Sequence, residues 1–236
     1  MSKNIDIILH CYNPPADFVE LIGVNFRNLI ASFPDRQLNL FIVNDGSTIN
    51  FTDIQIQQLL TVQDTVHIIS YAINRGKGYA LRKAVAETLS PLVVYTDYDF
   101  PFCIESFIKL VEELDKGADV VLASRNDDYL RKLPITRKFF SVMSRQLNRL
   151  FLRMTYCETQ GGLKGFNNKG KEIFMKTTID EFLFDTEFIY RASLQKNVSI
   201  VNIKGITREG IKPNRIHLKV IIRESVNFYR ITKIND

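Results

Sequence analysis

The sequence predicts an α/β domain built on a mainly parallel, doubly wound central sheet flanked by helices. Three observations carry this reading. Short apolar runs alternate with longer stretches of helical periodicity over the first half of the chain. Each run stops at polar or turn residues, as a strand does when its carboxyl end reaches water. No run approaches the roughly 18–20 apolar residues that span a bilayer, so the 45% of 236 residues that are hydrophobic are available for a core.

The elements follow in order. Ile5–Cys11 is a strand, and Pro14–Ser32 a helix with apolar residues at 18, 21, 22, 26, 29 and 30. Leu38–Val43 is a strand, Asp53–Leu60 a short helix and Val66–Ser70 a third strand. Gly76–Leu89 is helical, Leu92–Thr96 a strand, Ile104–Lys116 helical and Asp119–Ala123 a fifth strand. Tyr129–Cys157 is basic and contains no acid. From Arg137 it reads as an amphipathic helix with Phe139, Met143, Leu147, Leu150, Phe151 and Met154 on one stripe. Arg145, Arg149 and Arg153 form a basic row on it, and Ile216–Ile231 is a second basic amphipathic helix. Either helix can be a core element with a wet face or lie on a membrane surface.

Ligands of such sheets bind beyond the carboxyl ends of the strands. The residues there are Tyr12-Asn13, Asn44-Asp45-Gly46-Ser47, Asn74-Arg75-Gly76-Lys77-Gly78, Asp97-Tyr98-Asp99 and Ser124-Arg125-Asn126. Acids, a glycine-lined turn and basic residues at one edge describe a site for an anion and its cation. Asp97 and Asp99 fall on the same side of a strand end, roughly 6–7 Å apart at the backbone. A hard divalent ion, Mg²⁺ or Mn²⁺, suits two such carboxylates and commonly bridges them to phosphates. Two solvated acids in a turn before Pro101 are the alternative. Asp45 can accept hydrogen bonds from a base or ribose, or simply turn the chain. Asn74–Gly78 opens a helix, where free amides can approach a phosphate. It is no P-loop, because Tyr71 replaces the first glycine and Gly78 the Ser/Thr. Leu81 in the third glycine's place rules out the dinucleotide fingerprint too.

The net charge of +5 favours anionic partners. Nucleic acid would account for the charge but not for acids at the strand ends. Cys11, Cys103 and Cys157 fit no zinc spacing and read as reduced core thiols. Asp6 stands where a signal peptide would place its apolar core, which predicts a cytoplasmic protein.

Cys11-Tyr12-Asn13, Val43-Asn44-Asp45-Gly46-Ser47, Asn74–Ala80 and Asp97-Tyr98-Asp99 resemble the ordered motifs of family 2 glycosyltransferases, which have the Rossmann-like GT-A fold. Ala123-Ser124-Arg125, Thr159–Phe166 and Phe184-Asp185-Thr186-Glu187 resemble the branch of dolichyl-phosphate glucose and mannose synthases and bacterial polyprenyl-phosphate relatives. The resemblance covers about residues 5–210. It departs at Pro14, where the family usually has an acid, at Glu158, where the branch has Asp, and at the bulky Tyr98.

The resemblance implies one GT-A domain over 1–236, with a nucleotide-sugar-binding half at about 1–126 and an acceptor-side half at about 127–236. Tyr12, Asn13, Asp45, Arg75, Lys77 and Asp97 would bind the nucleotide, and Asp99, with Asp97, the metal. The implied reaction is inverting, in-line transfer of a sugar from a nucleotide donor, with the Phe-Asp-x-Glu and Asn-x-Gly-Lys-Gly motifs pointing to UDP-glucose. A hydroxyl acceptor needs a positioned base. A lipid phosphate, with a second pKa of about 6, is already ionised and needs cationic clamps instead. Arg125 and Lys164, with Gln160, are the candidates for the acceptor. Asp185 is the candidate base or orienting acid, or a helix N-cap before Thr186–Leu194. A hydroxyl of a growing saccharide is the second acceptor class, and a non-catalytic nucleotide-sugar-binding protein the third reading. A lipid acceptor also implies peripheral contact with the inner membrane face.

Overall fold

The computed structural model describes residues 4–125, 135–155, 158–208 and 218–234. Seven strands form one sheet in the order β3-β2-β1-β4-β6-β5-β7. They are β1 (Ile5–Cys11), β2 (Leu38–Asp45), β3 (Val66–Tyr71), β4 (Leu92–Asp97), β5 (Val120–Arg125), β6 (Lys164–Asn167) and β7 (Ile200–Gly205). All but β6 run parallel; β6 lies antiparallel between β4 and β5. The expected α/β architecture with a mainly parallel sheet is therefore present. The alternation of runs gave no sign of β6, a four-residue strand that includes the last three residues of the Thr159–Phe166 motif, Lys164, Gly165 and Phe166.

The helices are α1 (Phe18–Ser32), α2 (Asp53–Leu60), α3 (Lys77–Glu87), α4 (Ile104–Asp115), α5 (Ile135–Phe151), α6 (Asn168–Phe174), α7 (Phe184–Leu194) and α8 (Leu218–Thr232). They cover both faces of the sheet, which is why successive residues of β1 and β4 are buried rather than every second one. One core packs Ile5, Ile7 and Leu9 against Phe18, Ile22, Phe26 and Phe107. The other packs Ile8, Val93 and Tyr95 against Leu81, Phe166, Phe174, Phe184 and Phe188.

Several boundaries move. α1 begins at Phe18 rather than Pro14. Pro15 disfavours helical geometry at the residue before it, so the helix starts beyond the Pro-Pro pair. β2, β3, β4 and β5 each run one or two residues further than the apolar run, to Asp45, Tyr71, Asp97 and Arg125. That extension places the site residues on the ladder: His10 pairs in register with Asp97, and Asp45 with Tyr71.

The second half changes two readings. The α5 row is not wholly a wet face, because Arg145 forms an ion pair with Glu158. Its apolar stripe is not wholly core either: Leu150 and Phe151 are exposed. Asn126, Arg131, Lys132, Cys157 and Ile216, and the side chains of Arg137, Phe139 and Phe140, lie outside what is described. Cys11 is buried and Cys103 half-buried, and both are free thiols. Among the described residues, no helix is long and apolar enough to cross a membrane.

Candidate functional site

The carboxyl ends of β1, β2 and β4 bring most of the expected residues together. Asp97 ends β4, and Lys77, the first residue of α3, reaches it with Nζ 2.5 Å from Oδ1. Burial works against the charge of Lys77, but Asp97 and then Asp185 outweigh it and hold the ammonium above its ordinary pKa. Asp97 is the mirror case: burial opposes ionisation, and Lys77 nevertheless holds it below the usual carboxylate range. Asp99 goes the other way. Its burial and the charge of Asp97 push it above that range.

The two acids thus share one electrostatic environment, and an added cation would relieve Asp99. Their oxygen-only donor set suits a hard ion. Cys11, beside them, is pushed far up by burial and then by Asp97 and Asp99, so it offers no thiolate. Among the described residues no cluster of three His, Cys, Asp or Glu side chains forms a self-sufficient metal site. An ion held here needs further oxygens from its ligand, which is the usual situation for Mg²⁺ bound with phosphates.

Asp45 is fastened to the turn that opens α3. Its carboxylate is fully buried. It accepts from the amides of Arg75 (2.7 Å) and Gly76 (3.0 Å), from Asn74 Nδ2 (2.9 Å) and from His10 Nε2 (3.2 Å). Burial raises the cost of its charge, and these bonds still hold it below the usual carboxylate range. A carboxylate so occupied shapes the Asn74–Gly76 turn. The same bonds revise the phosphate-cradle expectation. The amides of Arg75 and Gly76 point at Asp45, and that of Gly78 donates to Asp180 O at 2.7 Å. What the turn offers a ligand is the side chain of Lys77 and the exposed Arg75, whose guanidinium lies 3.9 Å from the Tyr79 ring centroid.

Asn13, at φ +46°, is likewise a loop organiser. Its Oδ1 accepts from the Thr48 amide at 2.8 Å, and its own amide donates to Ser47 Oγ at 2.9 Å. Tyr12 beside it is exposed and open to a ligand. Tyr98 packs its ring on the core and is pushed up to about 12 by burial and then by Asp99.

Beneath Asp97 lies a second, buried cluster. Lys164 Nζ stands 2.8 Å from Asp185 Oδ1 and donates to Gly161 O at 2.5 Å. Tyr95 Oη donates to the same Asp185 oxygen at 2.5 Å. Burial outweighs Asp185 and lowers the pKa of Lys164, while burial and then Asp185 raise that of Tyr95. Lys164 has no exposed surface, so the expectation that it clamps an acceptor directly is corrected. It acts on Asp185. Asp185 itself sits in the first turn of α7, with Leu183 at the cap position, so it is not the N-cap. Arg125, ending β5, lies close enough to act on Asp97, Lys77 and Lys164 together. Gln160 is exposed at the adjoining loop.

Sequence reasoning assigned no role to several supports. His10 is a polar residue near the end of a mostly apolar strand, which was its only signal. Glu187 is fully buried and accepts from the amides of Thr178 and Ile179 at 2.9 and 2.8 Å, fixing the loop before α7. Glu158, the longer acid of the acceptor-side motif, accepts from the Arg125 amide at 3.3 Å as well as pairing with Arg145.

The whole chain superposes on glucosyl-3-phosphoglycerate synthase from Mycobacterium tuberculosis, solved with Mn²⁺, UDP and phosphoglyceric acid. The TM-score is 0.64 at 16% identity, over 100% of this chain and 80% of that one. The same enzyme solved with Mg²⁺ and UDP gives 0.63 at 16%, over 100% and 81%. The mannosyltransferase PcManGT from Pyrobaculum calidifontis, solved with GDP-Man and Mn²⁺, gives 0.63 at 18% identity, over 95% of this chain and 61% of that one. At such identities the likeness is one of fold. The family assignment rests on the sequence itself, since residues 6–174 match Glycosyl transferase family 2. With that match spanning β1 to α6 and the strand-end acids inside it, the chain belongs to glycosyl transferase family 2.

Proposed function

We propose that the protein moves a sugar from a nucleoside-diphosphate donor to a polyprenyl-type phosphate, with inversion at the anomeric carbon. The observation that carries the reading is the meeting of Asp97, Asp99 and Lys77 at the end of β4 above the buried Asp185. The fold relatives hold UDP, UDP-Glc or GDP-Man with Mn²⁺ or Mg²⁺, which supports a nucleotide-sugar donor, with UDP-glucose the first to test. Asp97 and Asp99 would hold Mg²⁺ or Mn²⁺, whose Lewis acidity stabilises charge on a departing diphosphate. Lys77 and Arg75 supply positive charge on the α3 side of the same place, and Tyr12 an exposed ring for the base.

The acceptor assignment rests on Asp185. Two donors, Lys164 and Tyr95, converge on its Oδ1 and hold the carboxylate in place, which suits an orienting acid. An ionised phosphate needs no strong base, and Arg125 and Gln160 flank the place it would occupy. One observation favours a second reading, transfer to a hydroxyl: the contacts of Lys164 and Tyr95 both fall on Oδ1, and among the described residues Asp185 Oδ2 accepts no hydrogen bond. We place the reaction at the cytoplasmic membrane face, where a polyprenyl phosphate is reached by peripheral contact.

The test is purified protein with UDP-glucose, Mn²⁺ and a short polyprenyl phosphate. The expected product is an acid-labile, alkali-resistant lipid-linked sugar. Transfer only to free saccharides would establish the hydroxyl reading, and no turnover or binding of any nucleotide sugar would remove the transferase reading.

A further inference from the structure

Helix α8 buries one stripe and leaves another apolar stripe uncovered. Asn227 and Ile231 are buried and Glu224 and Phe228 face inward. On the opposite side Ile222, Val226 and Tyr229 follow at i, i+4 and i+7 and are 61%, 53% and 61% exposed. That spacing puts them in one line along the helix. Lys233 continues the line, with Nζ 5.3 Å from the Tyr229 ring centroid. Arg223 and Arg230, seven residues apart, run along its flank and are exposed. Arg223 is paired with Glu181. Among the described residues no carboxylate pairs with Arg230 or Lys233. The helix's one described acid, Glu224, is turned inward and accepts from the Leu183 amide at 3.0 Å. Phe151, 63% exposed at the end of α5, meets the inward-facing Phe228 edge-on at 6.2 Å and packs α5 against the other side of the helix.

We infer that this face of α8 docks the protein on an anionic lipid surface. An apolar ridge rimmed by cations fits the boundary between acyl chains and acidic headgroups. A second copy of the chain fits it poorly, because a two-fold contact would set the ridge's cations against their own copies. Docking also reaches the site. Through Glu224 and the Arg223–Glu181 pair, α8 holds the 181–183 segment. Asp180, which begins that segment's approach to α7 and Asp185, accepts from the Gly78 amide beside Lys77. The membrane-facing helix is thus fastened to the loop that joins the two halves of the site. The inference stands on α8 and not on the identity of the acceptor.

The experiment is flotation of the full chain with vesicles of phosphatidylcholine alone, or mixed with phosphatidylglycerol, neither containing polyprenyl phosphate. Docking is expected only with phosphatidylglycerol and weakens as salt rises. Arg230→Glu and Lys233→Glu should each lower the partition coefficient about fivefold or more. Val226→Asp should lower it as well. Unchanged melting temperature and unchanged UDP binding with Mn²⁺ establish that these variants are folded. Absence of flotation in the wild type, or flotation indifferent to all three changes, overturns the inference. A wild-type dimer that Val226→Asp dissociates also overturns it, making the ridge a contact between copies. Docking without lipid-linked product would refute the acceptor reading and leave this one standing.

Discussion

Lys164 and Asp185 face each other at 2.8 Å with side-chain exposures of 0% and 6%, one from the antiparallel strand β6 and one from the first turn of α7. Charges so placed lose their hydration, and only good mutual geometry and further hydrogen bonds offset the loss. Gly161 O and Tyr95 Oη supply those bonds. The pair therefore fixes where the α7 carboxylate stands relative to Lys77 and Asp97.

Removing one support at a time should separate stability from turnover. Tyr95→Phe keeps the ring among Phe166, Phe174 and Phe184 and deletes a bond to a charged group. Urea denaturation should show a loss of about 1.5–3 kcal/mol. Lys164→Met leaves Asp185 buried without its counter-charge and should cost about 3–5 kcal/mol. At temperatures where both variants are folded, kcat should fall roughly tenfold or more, about 1.4 kcal/mol in the barrier. The KM for the donor should hold. A donor KM that rises with kcat unchanged would make the cluster part of donor binding instead.

The two strand-end acids should respond oppositely to substitution and to pH in metal-free protein. Asp97 titrates below its unfolded value, so its contribution to stability is present above the unfolded pKa and is lost as pH falls through the folded one. Asp99 titrates above its unfolded value. It favours the fold while protonated, and that advantage is lost as pH rises through the folded pKa. At pH 7 with EDTA, Asp97→Asn should therefore lower the melting temperature, and Asp99→Asn should leave it unchanged or raise it. Adding Mn²⁺ with UDP should stabilise the wild type and not Asp99→Asn. Melting curves that move the same way for both variants would contradict this assignment.

Much of this arrangement is legible along the chain because it follows from strand ends. Apolar runs that stop at Asp97 or Arg125 announce both the sheet and the edge where ligands meet it. What is not legible is direction. Asp45 carries the same local signal as Asp97, an acid closing an apolar run, yet it turns inward because three donors of the Asn74–Gly76 turn and His10 converge on it. That convergence depends on β2 pairing with both β1 and β3, a non-local fact. Lys164 reads as a clamp in sequence, and strand β6 turns it inside out. Four residues of Lys-Gly-Phe-Asn give no period from which to predict a strand wedged antiparallel between two others.

The paired glycines before Lys164 show the same limit and yield the last prediction. A β-carbon on Gly162 would stand 2.4 Å from Asp97 Oδ2, with Pro101 Cγ at 3.7 Å behind it. The backbone at 162 does not require glycine for its conformation, so the constraint is the closeness of the carboxylate. Gly162→Ala should leave the protein folded, with an overpacking cost of about 1–3 kcal/mol. It should push Asp97 off its bond to Lys77, and titration calorimetry should show UDP affinity in Mn²⁺ falling roughly tenfold, about 1.4 kcal/mol. Gly117→Ala is the control. Gly117 has φ +104° and nothing within 4 Å of its added β-carbon. Its cost is backbone strain alone, about 1–2 kcal/mol, and UDP affinity should be untouched. If the two variants lose affinity alike, the effect is general destabilisation and the approach of Gly162 to Asp97 has no part in binding.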